Sequence, residues 1–75
     1  MLRNRVKEFR ELHQLSQEQL AEKAGVTRQT VNYIETEQGY TPQSQSMVKL
    51  AMFFNCELGV LFYIDREAER EKVAS

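Results

Sequence analysis

The stretch LSQEQLAEKAGVTRQTVNYIE, Leu15–Glu35, decides how this chain folds. It holds two helix-start signals eleven residues apart, Ser16 and Thr27. The Ser16 hydroxyl can cap a helix, and Gln19 three positions on completes a capping box. Leu15 before the cap and Leu20 at the fourth helical position can form a hydrophobic staple. The helix is expected to run to about Ala24 and to end at Gly25, which tolerates a left-handed backbone. Thr27 then caps the next helix, with Val26 and Val31 as the second staple. That helix is expected to end near Thr36 or Glu37, before Gly39. Two staples in succession also fix the angle at which the chain enters each helix.

Within Gln17–Thr36, Leu20, Ala24, Val31 and Ile34 can close a shared interior. Ala21 is small enough for a steep helix crossing, and Gly25 allows a sharp turn. This is the spacing of a helix-turn-helix. At about 100° per residue, Val31 and Ile34 share one side of the second helix. Arg28, Gln29, Asn32 and Tyr33 gather on the other side and must face outward. Such side chains can read bases. Arg donates twice to a guanine edge, and Gln or Asn can bond adenine through both amide atoms. Tyr33 can pack on a sugar or a thymine methyl. In this motif the residues nearest the helix start reach base edges. Gln17 and Thr27, both at helix N-termini, are placed to hold phosphates.

Outside this unit the apolar residues recur at helical spacing in three more blocks. The first covers residues 2–13, with Leu2, Val6, Phe9 and Leu12 or His13 on one stripe. The fourth follows a polar loop, with Thr41 as cap and Pro42 in the first turn. Met47, Leu50, Ala51 and Phe54 form its stripe, and Asn55 can take a left-handed ending. The fifth is short, about Glu57–Tyr63, with Leu58, Leu61 and Phe62 inward. Strand signals are poor. The chain divides into a domain over 1–64 and a polar C-terminal extension over 65–75, helical or disordered.

Bulk properties narrow the function. The 75 residues make one domain at most. A single Cys, Cys56, excludes an intramolecular disulfide, and one His beside it excludes a Cys/His metal cluster. Cys56 reads as a small buried hydrophobe. His13 suits the end of the first helix as a capping or surface group. No nucleophile–base pair or Gly-rich phosphate loop is present, so no enzyme, cofactor, metal or small-molecule ligand is expected. The longest apolar run, GVLFYI, is too short to span a bilayer. A cytoplasmic setting without membrane contact is the expectation. The net charge is −1. A basic footprint is the usual mark of a nucleic-acid binder, and it is missing.

The residues LSQEQLAEKAGVTRQTVNYIE, TPQSQSMVKLAMFFN and ELGVLF resemble the Cro/C1-type (Xre-like) helix-turn-helix family of small repressor domains. The resemblance covers about residues 2–63. It implies an all-α, compact five-helix bundle of the lambda-repressor-like type, with the helix-turn-helix in helices 2 and 3. It also implies sequence-specific binding of double-stranded DNA and transcriptional regulation, usually as a two-fold homodimer. Arg28, Gln29, Asn32 and Tyr33 would then read bases, and Gln17, Thr27, Thr30, Gln38, Tyr40 and Thr41 would hold the backbone. Relatives often pair an Arg of the first helix with a Glu at the end of the third. Arg10 and Glu35 match those positions, which implies a partly buried structural ion pair. One departure matters: the loop ETEQGYTPQ carries no Lys or Arg, where relatives are often basic. Each neutralised phosphate adds about −0.9 to the salt slope, so a shallow slope is expected. Arg3, Arg5 and Lys7 are candidates for the missing charge.

Val60, Tyr63 and Ile64 cannot all be inside if Leu61 and Phe62 are core. They are the expected dimer patch. The rival expectation is a protein-interaction module, an antitoxin or adaptor, built on the same scaffold. Its motivation is the acidic balance and the apolar VLFYI.

Overall fold

The structure, a computed structural model, describes residues 1–65. The expected extension therefore lies, from residue 66 on, outside the described residues. The element order is β1 (Leu2–Asn4), α1 (Val6–Leu12), α2 (Gln17–Ala24), α3 (Arg28–Thr36), α4 (Ser44–Phe53), α5 (Leu58–Leu61) and β2 (Phe62–Ile64).

Local chemistry accounts for the central helices. Ser16 accepts from the Gln19 amide at 3.0 Å, and the Gln19 side chain accepts from the Ser16 N–H at 2.9 Å. Two amide groups that α2 would leave unpaired are thereby satisfied. Gly25 ends the helix with φ +81°, in the left-handed region. Two residues later Thr27 accepts from the Thr30 amide at 3.1 Å and starts α3. Asn55, with φ +53°, closes the α4 end.

One core joins these elements. Val6 from α1, Leu20 and Ala21 from α2, Val31 and Ile34 from α3, Leu50 and Ala51 from α4, Leu61 from α5 and Phe62 from β2 are all buried, as is Phe54 after α4. Leu15 and Val26, the outer halves of the two staples, pack partly buried against it. Helices α2 and α3 pack on each other, and α1 and α4 close the sides.

The chain is mostly helical, with five helices among the described residues, but it is not all-α. Residues Leu2–Asn4, expected as the start of the first helix, form β1. It pairs antiparallel with β2, Leu2 opposite Ile64 and Asn4 opposite Phe62. Two causes are visible. Asn4 Oδ1 accepts the Val6 amide at 3.0 Å, which starts α1 only after the Asn. Its Nδ2 donates to the Ile34 carbonyl at 3.1 Å and ties the strand to α3. At the other end Phe62, Tyr63 and Ile64 are aromatic or β-branched and suit a pleated surface. They leave the fifth helix after Leu61 rather than Tyr63.

The choice left open between Leu12 and His13 falls on His13, and the expectations for Leu58 and for the α4 cap are corrected. Leu12 is 72 % exposed, and the His13 ring takes the place on the stripe, 5.2 Å from Phe54. Leu58 is exposed rather than inward. The cap position of α4 is Gln43, without a side-chain bond. Pro42 stands before it, buried. Its ring serves packing, not the first helical turn.

Candidate nucleic-acid interface

Helix α3 is built so that its two sides differ. Val31 and Ile34 face the core at 0 % and 4 % exposure. Arg28, Gln29, Asn32 and Tyr33 are all exposed. The side chains of Arg28 and Asn32 make no hydrogen bond among the described residues. Gln29 and Tyr33, one turn apart, are joined: Gln29 Nε2 donates to Tyr33 Oη at 2.8 Å. The Tyr33 ring in turn meets the Tyr40 ring edge-on, with centroids 5.6 Å apart.

At the helix start, Thr27 and Thr30 are coupled. The Thr27 hydroxyl donates to Thr30 Oγ1 at 2.8 Å. Thr27 lies exposed and Thr30 half-buried. Downstream, Gln38 and Thr41 are exposed in the loop and Tyr40 is half-buried against the core. Gly39, with φ +79°, turns the loop so that Tyr40 comes back toward α3, and the Tyr40 amide donates to the Glu37 carbonyl at 3.0 Å.

The face is set by an ion pair beneath it. Arg10 Nε donates to Glu35 Oε2 at 2.7 Å and Nη2 to Oε1 at 3.0 Å. Such a two-pronged contact fixes geometry as well as charge. A third bond, from Nη1 to the Leu15 carbonyl at 2.7 Å, reaches the segment before α2. The Glu35 carboxylate holds the Arg10 guanidinium above its ordinary pKa, so its charge is permanent. Gln17 joins this network, donating from Nε2 to Glu35 Oε1 at 3.1 Å. The sequence placed Gln17 toward phosphates and missed this engagement. One amide N–H of Gln17 remains for an outside acceptor.

Two of the three cations expected from the N-terminal segment, Arg3 and Arg5, are committed elsewhere, while Lys7 is exposed. Arg3 pairs with Asp65 at 3.1 Å. Arg5 donates to the Val60 carbonyl at 2.8 Å, and its guanidinium lies 4.6 Å from the Tyr63 ring centroid. Both therefore sit at the β-ribbon. Lys49 donates to the Gly25 carbonyl at 3.3 Å and closes the α2 end. Arg28 is left as the cation of the α3 face.

The dimer patch is spread rather than gathered. Val60 is 42 % and Ile64 48 % exposed, while Tyr63 is half-buried under Arg5. Neighbouring strand residues point to opposite sides, so Tyr63 and Ile64 do not share a face. Among the described residues no helix is long and apolar enough to cross a membrane.

Comparison with known proteins agrees with this architecture. The helix-turn-helix family profile matches residues 6–61. A protein of Methanocaldococcus jannaschii, named as an HTH-type transcriptional regulator, is 42 % identical over 67 residues, covering 88 % of this chain and all of that one. One from Archaeoglobus fulgidus with the same designation is 37 % identical over 71 residues, covering 95 % of this chain and 99 % of its own. A Bacillus subtilis protein so named is 38 % identical over 66 residues, covering 88 % and 98 %. The matches span nearly the full length of both partners, and the profile takes in every helix from α1 to α5. The chain belongs to the Cro/C1-type helix-turn-helix family.

Proposed function

We propose that this protein regulates transcription by binding duplex DNA as a two-fold homodimer, with α2 and α3 as the helix-turn-helix and α3 in the major groove. The single observation that carries this is the division of α3: two aliphatic residues buried, and a guanidinium, two amides and a phenol exposed along the other side. DNA binding and a regulatory role follow the family; the relatives are themselves named as transcriptional regulators.

Arg28 and Asn32, whose side chains make no hydrogen bond among the described residues, reach base edges, and the bonded pair Gln29–Tyr33 reads beside them as one unit. Thr27, Thr30 and the free amide N–H of Gln17 hold phosphates at the two helix N-termini. Gln38, Tyr40 and Thr41 add neutral donors along the adjoining strand. Regulation is by occupancy, as a repressor, in the cytoplasm; no step makes or breaks a bond. Exposed Val60 and Ile64 at the α5–β2 end support self-association. Dimerisation there sets two α3 helices one DNA turn apart, about 34–36 Å.

Selection of bound sequences from a random duplex pool tests the proposal. An enriched motif with two-fold symmetry is expected, and Gln29→Ala should cost about 1–3 kcal/mol on it and relax one base position. A pool that shows no enrichment overturns the base-reading assignment.

A further inference from the structure

Tyr33 lies 37 % exposed on the outward side of α3, yet its hydroxyl is not open to a ligand on all sides. It accepts an N–H from Gln29 at 2.8 Å. Its ring is braced by Tyr40, which packs half-buried against the core and is held by its own backbone bond to Glu37. Gln29 is thus the outer end of a chain that runs through Tyr33 to the body of the domain.

The consequence lies in the donor count of one amide. A Gln side chain has two N–H donors on Nε2 and one acceptor oxygen. One donor is spent on Tyr33. What remains facing out is one N–H and one carbonyl oxygen. In the major groove adenine offers an acceptor, N7, beside a donor, the N6 amine. That is the complement of the amide as it is held. Guanine offers two acceptors, N7 and O6, and would need both N–H groups. A held Gln29 has only one to give.

We propose that Tyr33, supported by Tyr40, is a positioning residue that fixes the Gln29 amide so that it accepts adenine and rejects guanine at one base pair. This rests on the reading above that α3 enters the major groove. Tyr33 then sets specificity through Gln29 rather than by touching a base. Tyr40 does the same at one remove, from a loop that carries no cation. The loop's aromatic residue thus contributes to selectivity rather than to charge.

The test is selection from a random duplex pool with the full chain and its Gln29→Ala, Tyr33→Phe and Tyr40→Ala variants. Thermal melting of each variant is measured in parallel. Gln29→Ala marks the base position that Gln29 reads. The intact chain should prefer adenine over guanine at that position by about tenfold. Tyr33→Phe keeps the ring and removes the hydroxyl. It should bring adenine and guanine to near-equal occurrence at that position, leave the other positions unchanged and melt like the intact chain. Tyr40→Ala should shift the same position in the same direction. The double variant Gln29→Ala/Tyr33→Phe should show no loss beyond Gln29→Ala alone, a coupling that a merely structural role would not produce.

Retained adenine preference in Tyr33→Phe overturns the proposal. So does relaxation at a different position, which would make Tyr33 a direct reader, or guanine selected at the Gln29 position by the intact chain. Absence of any enriched motif with the intact chain defeats the base-reading assignment itself, and is distinguishable because it precedes all variants.

Discussion

Arg10→Met isolates the interaction that joins α1, the α2 entrance and the end of α3. The arginine makes three hydrogen bonds, two to Glu35 and one to the Leu15 carbonyl, all at 3.0 Å or shorter. Its side chain is 15 % exposed and that of Glu35 only 3 %. Solvent therefore cannot take over when the guanidinium is removed. Gln17 alone would remain on the carboxylate, through one neutral donor. Removing one partner of a buried pair costs about 3–5 kcal/mol, because a charge is left without compensation. A single core in so short a chain supplies only a few kcal/mol, about 3–5, so the variant should be largely unfolded at room temperature. Methionine keeps much of the packing volume, so the loss isolates charge and hydrogen bonds. Urea unfolding followed by circular dichroism measures it. A second variant separates charge from shape: Arg10→Met with Glu35→Leu removes both charges and should recover most of the loss. If Arg10→Met unfolds within about 1 kcal/mol of the intact chain, a value typical of a surface pair, the buried-pair reasoning is refuted. If the double variant is less stable than the single one, the cost was never that of an orphaned carboxylate.

Three further outcomes are expected. Val31→Asp places an unpaired carboxylate at a position with 0 % exposure and should abolish the cooperative melt; a retained melt would mean that the buried side of α3 is misassigned. Gly25→Ala should cost about 1–2 kcal/mol through backbone strain alone, since φ is +81° and nothing lies within 4 Å of the added methyl; denaturant unfolding checks it, and an unchanged midpoint would contradict the strain. Val60→Glu should shift the sedimenting species from dimer to monomer without altering the helical signal of the monomer. A chain that already sediments as monomer at micromolar concentration removes the dimer proposal.

The helix ends between Leu15 and Thr36 were legible because their causes are local. A hydroxyl, a residue three places on and a glycine suffice, and each lies within one turn of the atom it satisfies. The β-ribbon was not legible for the opposite reason. Its strands are three residues each and stand about sixty residues apart, and neither shows an alternation long enough to compete with a helical stripe. Only the pairing itself, with the double hook of Asn4, decides against a longer α1. Leu12 and His13 could not be separated from periodicity, since they lie on the last turn, where the helix end determines which side chain lies against Phe54. The outward side of α3 followed from two aliphatic positions. The partner of each long polar side chain did not. Gln17 can turn to a phosphate or to Glu35, and Gln29 to a base or to Tyr33, and the helical wheel does not distinguish them. Arg3 and Arg5 illustrate the same limit, their charges drawn to Asp65 and to Tyr63.

The most direct measurement is a titration of random duplex DNA at about 50 mM and about 200 mM salt, with the intact chain and with Arg28→Ala. Binding that weakens as salt rises is the predicted result for the intact chain, with a shallow slope because Arg28 is the cation of the α3 face. Loss of detectable binding in Arg28→Ala is predicted at both concentrations. Undetectable binding by both forms would contradict the assignment of α3 to the DNA groove and favour a protein partner for the same scaffold; equal binding by both would move the DNA contact away from the α3 face.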